Sequence, residues 1–280
     1  MPHRGPEAAE LVPKSGWLDG PVAYGRGVES DGRSFELFLE VYGTLPRAGP
    51  GGDEHTVRAL GLVPGPSPET VLDLGCGPGQ QTVALASALP EGRIVALDVL
   101  APMVEQANRR FTAAGFGDRV VALVGDMAEP PVDPGSQDLI WCEGAIYNLG
   151  VTEALGAWRP LLRPGGSVAF TEPVWLVESP PQEIRDWWSS EYPAISRRAG
   201  VEARIESASY RTVGSFVLPA SAWWDEYYGP MRDRVASLRE RLPGDPVASD
   251  VAAAAEAEID YFVRFSDCYS YEFFSVQPVG

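Results

Sequence analysis

The chain has 280 residues, 45% of them hydrophobic, which is enough to bury the core of one substantial domain with an elaboration. Its 22 Lys and Arg stand against 39 Asp and Glu, and the resulting net charge of -17 argues against nucleic acid and anionic membranes as partners. Three cysteines without a C-x-x-C pair, together with only two histidines, indicate neither a disulfide framework nor a metal site.

The N-terminal part, residues 1–68, is predicted to form an arm and two helices that cap the rest of the chain. Residues 1 to about 30 are rich in Gly, Pro and charge, which is typical of a loosely ordered arm. Apolar residues at helical spacing predict a first helix over residues 35–42. A glycine-rich loop, residues 44–52, leads to a second helix for which Asp53 is the predicted N-cap.

Residues 69–280 alternate strand and helix patterns, which predicts a doubly wound, mostly parallel α/β sheet. Two stretches, residues 178–200 and 220–265, interrupt the alternation and are predicted to be helical insertions that cover the sheet. The predicted strands are 71–74, 93–97, 119–124, 136–142, a strand from the turn at 163–166 to Thr171, 212–218 and 270–276.

A glycine-rich turn between the first strand and its helix dominates the sequence. Gly75, Gly77 and Gly79 let the backbone adopt positive φ and leave no Cβ in the way, so a ligand can press against the turn. The spacing G-x-G-x-G differs from the dinucleotide fingerprint, because Gln80 occupies the last fingerprint position. Asp73 would repel a phosphate but could hold an ammonium group, which favours a ligand with a cationic amine.

The stretch Asp73-Leu-Gly-Cys-Gly-Pro-Gly79 resembles motif I of the class I, Rossmann-like methyltransferases, which use S-adenosylmethionine. From residue 35 to the C-terminus the chain is similar to a bacterial group of these enzymes that act on small molecules. That resemblance implies a seven-stranded sheet with an antiparallel last strand, and S-adenosylmethionine as cofactor. The chain departs from this group at one loop. Where the group often has R-Q-G-P-G, this chain has Arg47-Ala-Gly-Pro-Gly51. Three further stretches carry the resemblance: Leu45-Pro-Arg-Ala-Gly-Pro-Gly51, Glu143-Gly-Ala-Ile-Tyr-Asn-Leu-Gly150 and residues 216–228.

Acidic residues follow the second and third strands at positions that suit the cofactor. Asp98, with Val99 beside it, lies 19 residues beyond Gly79, a separation at which a carboxylate can accept hydrogen bonds from ribose hydroxyls. Asp126 and Met127 resemble the family pair in which the carboxylate holds the adenine amino group and the apolar neighbour packs on the ring. An ordinary carboxylate at a helix N-terminus and a simple turn aspartate are the alternatives.

Gln81 and Thr82 begin the helix after the glycine turn, where they could meet the methionine carboxylate or merely cap the helix. Arg47 and its glycine-rich loop could close over the cofactor, but an arginine on a loop could equally be solvated. The predicted cofactor-binding residues are Asp73, Gly75, Gly77, Gly79, Gln81, Thr82, Asp98, Val99, Asp126, Met127 and Glu143.

Three residues are predicted to carry the chemistry. Glu143 follows the fourth strand, where the transferred methyl group should sit, and could face the cofactor, position an amine or act as a general base. Glu172 is its analogue after the fifth strand. For both carboxylates a purely structural role is equally open. Tyr147 could orient a substrate or be a core aromatic residue.

Aromatic side chains cluster in the predicted cover segments. Their faces, with carboxylates nearby, suit a small-molecule methyl acceptor that is an amine or an aromatic compound. A non-catalytic protein that binds S-adenosylmethionine and a dinucleotide-dependent oxidoreductase remain the alternative functions. Without an apolar leader or a membrane-length apolar run, the sequence predicts a cytoplasmic protein, as a monomer or a homodimer. The cover aromatics are Trp175, Trp187, Trp188, Trp223, Trp224, Tyr227 and Tyr228.

Overall fold

The structure, a computed structural model, describes residues 32–280, so the predicted arm over residues 1–30 lies outside the described part. Strands alternate with helices, as the hydrophobic pattern predicts. The strands are β1 (Thr70–Leu74), β2 (Arg93–Asp98), β3 (Val120–Val124), β4 (Gln137–Cys142), β5 (Leu162–Trp175), β6 (Ser196–Arg197), β7 (Tyr210–Val217) and β8 (Tyr269–Pro278).

One mixed sheet contains all of these strands. Its order is β3-β2-β1-β4-β5-β8-β7, with the two-residue β6 pairing with β5 beside this path. The pairs from β3 to β5 are parallel, whereas β8 runs antiparallel to both β5 and β7. The predicted doubly wound sheet with an antiparallel last strand is therefore confirmed. The strand order reverses between β1 and β4, which is where ligands bind in open sheets of this kind.

Helices cover both faces of the sheet, and each face has its own apolar core. On one face α5 and α7 pack against each other and against the sheet, while the other helices lie on the opposite face or above the strand ends. The helices are α1 (Gly32–Val41), α2 (Asp53–Leu60), α3 (Gln80–Ala88), α4 (Ala101–Ala113), α5 (Val151–Trp158), α6 (Gln182–Glu191), α7 (Arg198–Ser207), α8 (Ser221–Trp223), a π-helix (Trp224–Tyr228), α9 (Gly229–Arg241) and α10 (Pro246–Phe265), with short 3-10 helices over Ile146–Asn148 and Arg159–Leu161.

The prediction that residues 178–200 form one cover helix is wrong in detail. Only α6 is a cover helix there, and it ends at Glu191 because Pro193 disfavours helical geometry at Tyr192, whose φ and ψ are -149° and 87°. The chain then forms β6 and α7, and α7 packs on the face opposite the cover helices.

Two boundaries also differ from the prediction. β5 continues past Thr171 to Trp175, because β8 pairs with it residue by residue over this length. Glu172 consequently lies inside the strand and not after it. Gly52, not Asp53, is the N-cap of α2, and the Asp53 carboxylate instead accepts hydrogen bonds from other side chains described below.

The two helices predicted in the N-terminal part of the chain are α1 and α2. Helix α1 packs on the cover helices α9 and α10, and α2 packs on α3, the helix that follows the glycine turn. Among residues 32–280, none of the helices is both long and apolar enough to cross a membrane.

Candidate active site

A cleft of about 1160 Å³, a volume that includes space open to solvent, lies at the carboxyl ends of β1, β2 and β4. Nine residues predicted from the sequence line it: Gly75, Gly77, Gln81, Asp98, Val99, Asp126, Met127, Glu143 and Tyr147. Four predicted residues do not line it: Asp73, Gly79, Thr82 and Glu172. The loop from Arg47 to Pro50 forms another part of the wall.

The glycine turn has the backbone that its sequence predicts. Gly75, Gly77 and Gly79 have φ values of 74°, 50° and 85°. A Cβ on Gly75 would lie 2.4 Å from the Cβ of Ala145, in the loop after β4, so only glycine fits against this wall. A Cβ on Gly79 would instead meet the ring of Phe111 at 2.8 Å, which shows that this glycine serves the packing of α4 against the turn.

Asp98 fixes the shape of the turn. One carboxylate oxygen accepts a hydrogen bond from the Gly77 amide and the other from the Leu100 amide, each at 2.9 Å. Burial raises the pKa of Asp98, and the backbone donors oppose that rise. Each carboxylate oxygen keeps a second acceptor site, so the residue can hold the turn and still accept from a ligand hydroxyl.

We predict that Asp98→Asn weakens the binding of S-adenosylhomocysteine by a factor of about ten or more, as expected for the loss of a charge-assisted hydrogen bond. The side-chain amide of the new asparagine would point its NH₂ group at the backbone N–H of Gly77 or of Leu100. It would also offer one acceptor oxygen fewer to the ribose. Titration calorimetry of both proteins measures the change. Unchanged affinity would mean that Asp98 only shapes the turn.

Asp73 and Thr82 form a buried pair beneath the turn. The Thr82 hydroxyl donates to one oxygen of Asp73 at 2.6 Å, and the other oxygen has no hydrogen-bond partner within residues 32–280. Burial raises the pKa of Asp73 to about 7. Gln81 donates from its side-chain amide to the carbonyl of Cys76 at 2.8 Å and so braces the same turn.

The segment after β3 carries the predicted adenine pair. Asp126 accepts a hydrogen bond from the Ala128 amide at 2.7 Å, which leaves its second oxygen for another donor. The carbonyl of Met127 accepts from the indole of Trp158 at 2.7 Å, and the Met127 side chain lies against Gly75. Both residues therefore face the cleft from a fixed backbone.

Glu143 is held by three donors at the end of β4. One oxygen accepts from the Thr56 hydroxyl at 2.7 Å and from the Trp141 indole at 2.9 Å, and the other accepts from Arg47 at 3.1 Å. Burial raises the pKa of Glu143, and Arg47 is the largest influence that opposes this rise. The carboxylate is thus rigid, with acceptor capacity left on the oxygen that faces Arg47.

Arg47 is buried, with only 3% of its side chain exposed, and is not a solvated loop residue. Its guanidinium pairs with Asp53 and Glu226 at 2.7 Å each, besides Glu143. It thereby connects the loop before α2, the π-helix and the end of β4. The sequence signal for this role is the Leu45 to Gly51 stretch that resembles the family loop, but nothing in it identifies the three acidic partners.

Glu172 points to the α7 side of β5. Its carboxylate accepts from the Tyr192 hydroxyl at 2.7 Å, Arg204 lies 3.4 Å away, and burial raises its pKa to about 7. Tyr147 lines the cleft and packs against Tyr192, with 5.9 Å between ring centroids. Glu172 therefore does not line the cleft. Its hydrogen-bond donor Tyr192 packs against Tyr147, which does line it.

Comparison with known proteins agrees with this geometry. Residues 71–166 match the family model described as a methyltransferase domain. The trans-aconitate 2-methyltransferase of Paracidovorax citrulli is 30% identical over 216 residues, which are 74% of this chain and 80% of that protein. An uncharacterized 37.1 kDa protein in transposon TN4556 of Streptomyces fradiae is 38% identical over 119 residues, 42% of this chain but only 33% of its own length.

The fold agrees as well. A methyltransferase from Geobacter sulfurreducens, solved in complex with S-adenosylhomocysteine, superposes with a TM-score of 0.76 at 20% identity, over 87% of this chain and 98% of that one. The chain belongs to the S-adenosylmethionine-dependent methyltransferases with the class I, Rossmann-like fold. This membership removes the dinucleotide-dependent oxidoreductase from the alternatives.

Proposed function

We propose that the protein transfers the methyl group of S-adenosylmethionine to a nitrogen or oxygen atom of a small acceptor, an amine or an aromatic compound, by in-line displacement. One observation carries the proposal: Glu143 and Tyr147 lie on the wall of the same cleft as the glycine turn and Asp98. The cleft thus joins groups suited to the cofactor with groups suited to an acceptor.

The residues present fit the cofactor. Gly75 and Gly77 have positive φ and line the cleft, and a Cβ on Gly77 would meet only the Cβ of Ala48 within residues 32–280, so the backbone of the turn is open to a ligand there. Asp98 would hold the ribose hydroxyls, and Asp126 with Met127 would hold the adenine. The cofactor supplies a methyl group that is already activated by its bond to a positively charged sulfur.

The protein therefore has to position the acceptor and exclude water, and alignment of this kind can supply roughly 7 to 11 kcal/mol. The loop at Arg47 supports exclusion of water, because ion pairs hold it against the end of β4. Glu143 would accept a hydrogen bond from the N–H or O–H of the acceptor and could receive its proton. Tyr147 would orient the acceptor against the aromatic cover.

The relative from Paracidovorax citrulli is named for trans-aconitate, an acidic compound. We do not extend that substrate class to this chain. Asp98, Asp126 and Glu143 face the cleft, and its Arg47 is already paired with three carboxylates. A polyanionic acceptor would meet this acidic wall, whose lining arginine within residues 32–280 is already paired, whereas an amine would be attracted to it.

We predict that Glu143→Gln lowers turnover by a factor of about 100, the effect expected for losing a positioned base, while S-adenosylhomocysteine still binds. A screen of small amines, phenols and acids with labelled methyl donor identifies the acceptor, and turnover of the variant is then measured with it. Glu153→Gln on α5, an exposed carboxylate, is the matched control.

Three outcomes separate the alternatives. Intact cofactor binding and turnover in Glu143→Gln would remove the catalytic assignment. Tight binding of S-adenosylhomocysteine without turnover in any screen would favour a non-catalytic binding protein. Retained turnover in Glu143→Gln with loss in Tyr147→Phe would transfer the main positioning role to the tyrosine. The cytoplasmic location, the choice between monomer and homodimer, and the boundary at residue 68 stay predictions.

A further inference from the structure

Helix α2 holds the carboxylate at the end of β4 through both of its oxygens. Thr56, whose side chain is buried, donates its hydroxyl to Oε1 of Glu143 at 2.7 Å. Asp53, one helical turn earlier, pairs with Arg47, and Arg47 in turn donates to Oε2 of Glu143 at 3.1 Å. Residues at i and i+3 are neighbours on a helix surface, so one side of α2 is directed at this single carboxylate.

The two oxygens of Glu143 differ in the acceptor capacity that they have left. Oε1 accepts from Thr56 and from the indole N–H of Trp141 at 2.9 Å, which uses both lone pairs of that oxygen. Oε2 accepts from Arg47 alone among residues 32–280 and keeps one lone pair. The Thr56 hydroxyl therefore helps to decide which oxygen can meet a ligand in the cleft that Glu143 lines.

The bond from Thr56 to the carboxylate is not the one that a helical threonine makes by default. Its hydroxyl also lies 3.4 Å from the carbonyl of Gly52, the acceptor that a threonine usually finds one turn earlier in its own helix. A hydroxyl has one proton to donate. The carboxylate is both the closer and the charged acceptor, so the stronger bond is the one to Glu143.

We propose that Thr56 is a positioning residue for methyl transfer: its hydroxyl fixes the rotation of the Glu143 carboxylate and leaves Oε2 for the hydrogen atom of the acceptor. The proposal rests on the proposed function, in which Glu143 contacts the acceptor, and adds the residue that orients it. Without this hydroxyl, one lone pair of Oε1 would be empty and the carboxylate would be free to turn.

The indole N–H of Trp141 reports on Glu143 without any methyl acceptor. It donates to the same oxygen as Thr56, so its nuclear magnetic resonance signal should move as Glu143 takes up a proton. The chain has eight tryptophans, and the signal of Trp141 is the one missing from Trp141→Phe. The pH transition of that signal which is missing from Glu143→Gln belongs to Glu143. The spectra are recorded on the full, isotope-labelled chain.

We expect this transition to lie about one pH unit higher in Thr56→Val than in the wild type, because a donor to the ionised carboxylate is lost. Burial raises the pKa of Glu143, and Arg47 and then the Thr56 hydroxyl oppose that rise. Thr56→Ser keeps the hydroxyl and should return the midpoint to near the wild-type value. Neither variant changes the other charged and titratable groups around the carboxylate, which are Arg47 before α2, His55 on α2, Asp73 on β1 and Cys142 on β4.

Turnover with the acceptor found in the screen is the second readout. Thr56→Val should lower kcat by about tenfold and change the KM for S-adenosylmethionine by less than about twofold, because the base is misaligned while the cofactor contacts remain. Thr70→Val is the matched control. It also removes a hydroxyl that donates to a carboxylate, that of Asp138 at 2.9 Å, but Thr70 lies at the amino end of β1, opposite the cleft. Both readouts should keep their wild-type values there.

An unchanged midpoint in Thr56→Val, or a shift that Thr56→Ser does not reverse, would overturn the proposal, since the hydroxyl would then not hold the carboxylate. Thr56→Ala removes the same hydroxyl and takes the place of Thr56→Val if valine impairs folding. A shifted midpoint with unchanged kcat would overturn the proposal as well. Absence of turnover by the wild type in every screen would count against the proposed function alone, because the Trp141 titration still measures whether Thr56 orients Glu143.

Discussion

Arg47→Ala is expected to destabilise the protein by about 3 to 5 kcal/mol, the cost of removing one partner from a buried ion pair. The guanidinium lies between Glu143, Asp53 and Glu226, and its removal leaves the buried Glu143 carboxylate without a cation. We also expect weaker binding of S-adenosylhomocysteine, because the Arg47 loop forms part of the cleft wall. Urea unfolding and calorimetry measure the two effects.

The loss should depend on pH. Burial already raises the pKa of Glu143 above its ordinary value of 4.5, and without Arg47 that pKa rises further. A carboxyl group with a raised folded-state pKa stabilises the fold below its unfolded pKa and loses that contribution as the pH rises through the folded value. The variant should therefore lose more stability at about pH 8 than at about pH 5.5.

Two further variants make this prediction specific. Arg239→Ala removes an exposed arginine that pairs with Glu256 through two hydrogen bonds, and solvent screening should make its effect small. Combining Arg47→Ala with Glu143→Gln removes the uncompensated charge and should restore part of the stability. If Arg47→Ala costs no more than Arg239→Ala, the network at the end of β4 contributes little to stability.

The strands and most helices could be predicted from the sequence because their local signals agree with the fold. β1 reads as a short apolar run before glycines, and α4 has a proline in its first turn, so neither depends on distant contacts. The upper half of β5 could not be predicted, since its extension to Trp175 depends on pairing with β8, about a hundred residues away. Long-range pairing leaves no mark on the local pattern.

The residues of the candidate site, too, could be predicted from the sequence only in part. Residues tied to the strand ends, such as Asp98 and Met127, line the cleft because topology alone brings them there. Thr82 and Glu172 do not line it, because each forms buried hydrogen bonds that the motif does not specify. The environment of Arg47 depends on partners from separate parts of the chain, so only the structure identifies it.

Gly75→Ala is expected to abolish detectable binding of S-adenosylhomocysteine and to destabilise the fold. Two costs add. The first is backbone strain, because a non-glycine residue at a φ of 74° is strained by roughly 1 to 2 kcal/mol. The new Cβ would also lie 2.4 Å from the Cβ of Ala145, and overpacking of this kind costs roughly 1 to 3 kcal/mol. The backbone of Ala145 or of the turn must move, and both line the cleft.

Gly115→Ala separates the two costs. Gly115 has a φ of 79°, but a Cβ there would meet no atom within 4 Å, and Gly115 does not line the cleft, so the variant measures backbone strain alone. We expect it to lower the free energy of unfolding less than Gly75→Ala and to bind S-adenosylhomocysteine with wild-type affinity in calorimetry. Wild-type affinity in Gly75→Ala as well would show that the turn tolerates a side chain at its tightest contact. The new Cβ displaces Ala145 or the turn, and both are part of the cleft wall. Unchanged affinity would therefore mean that the cofactor binds elsewhere than against Gly75.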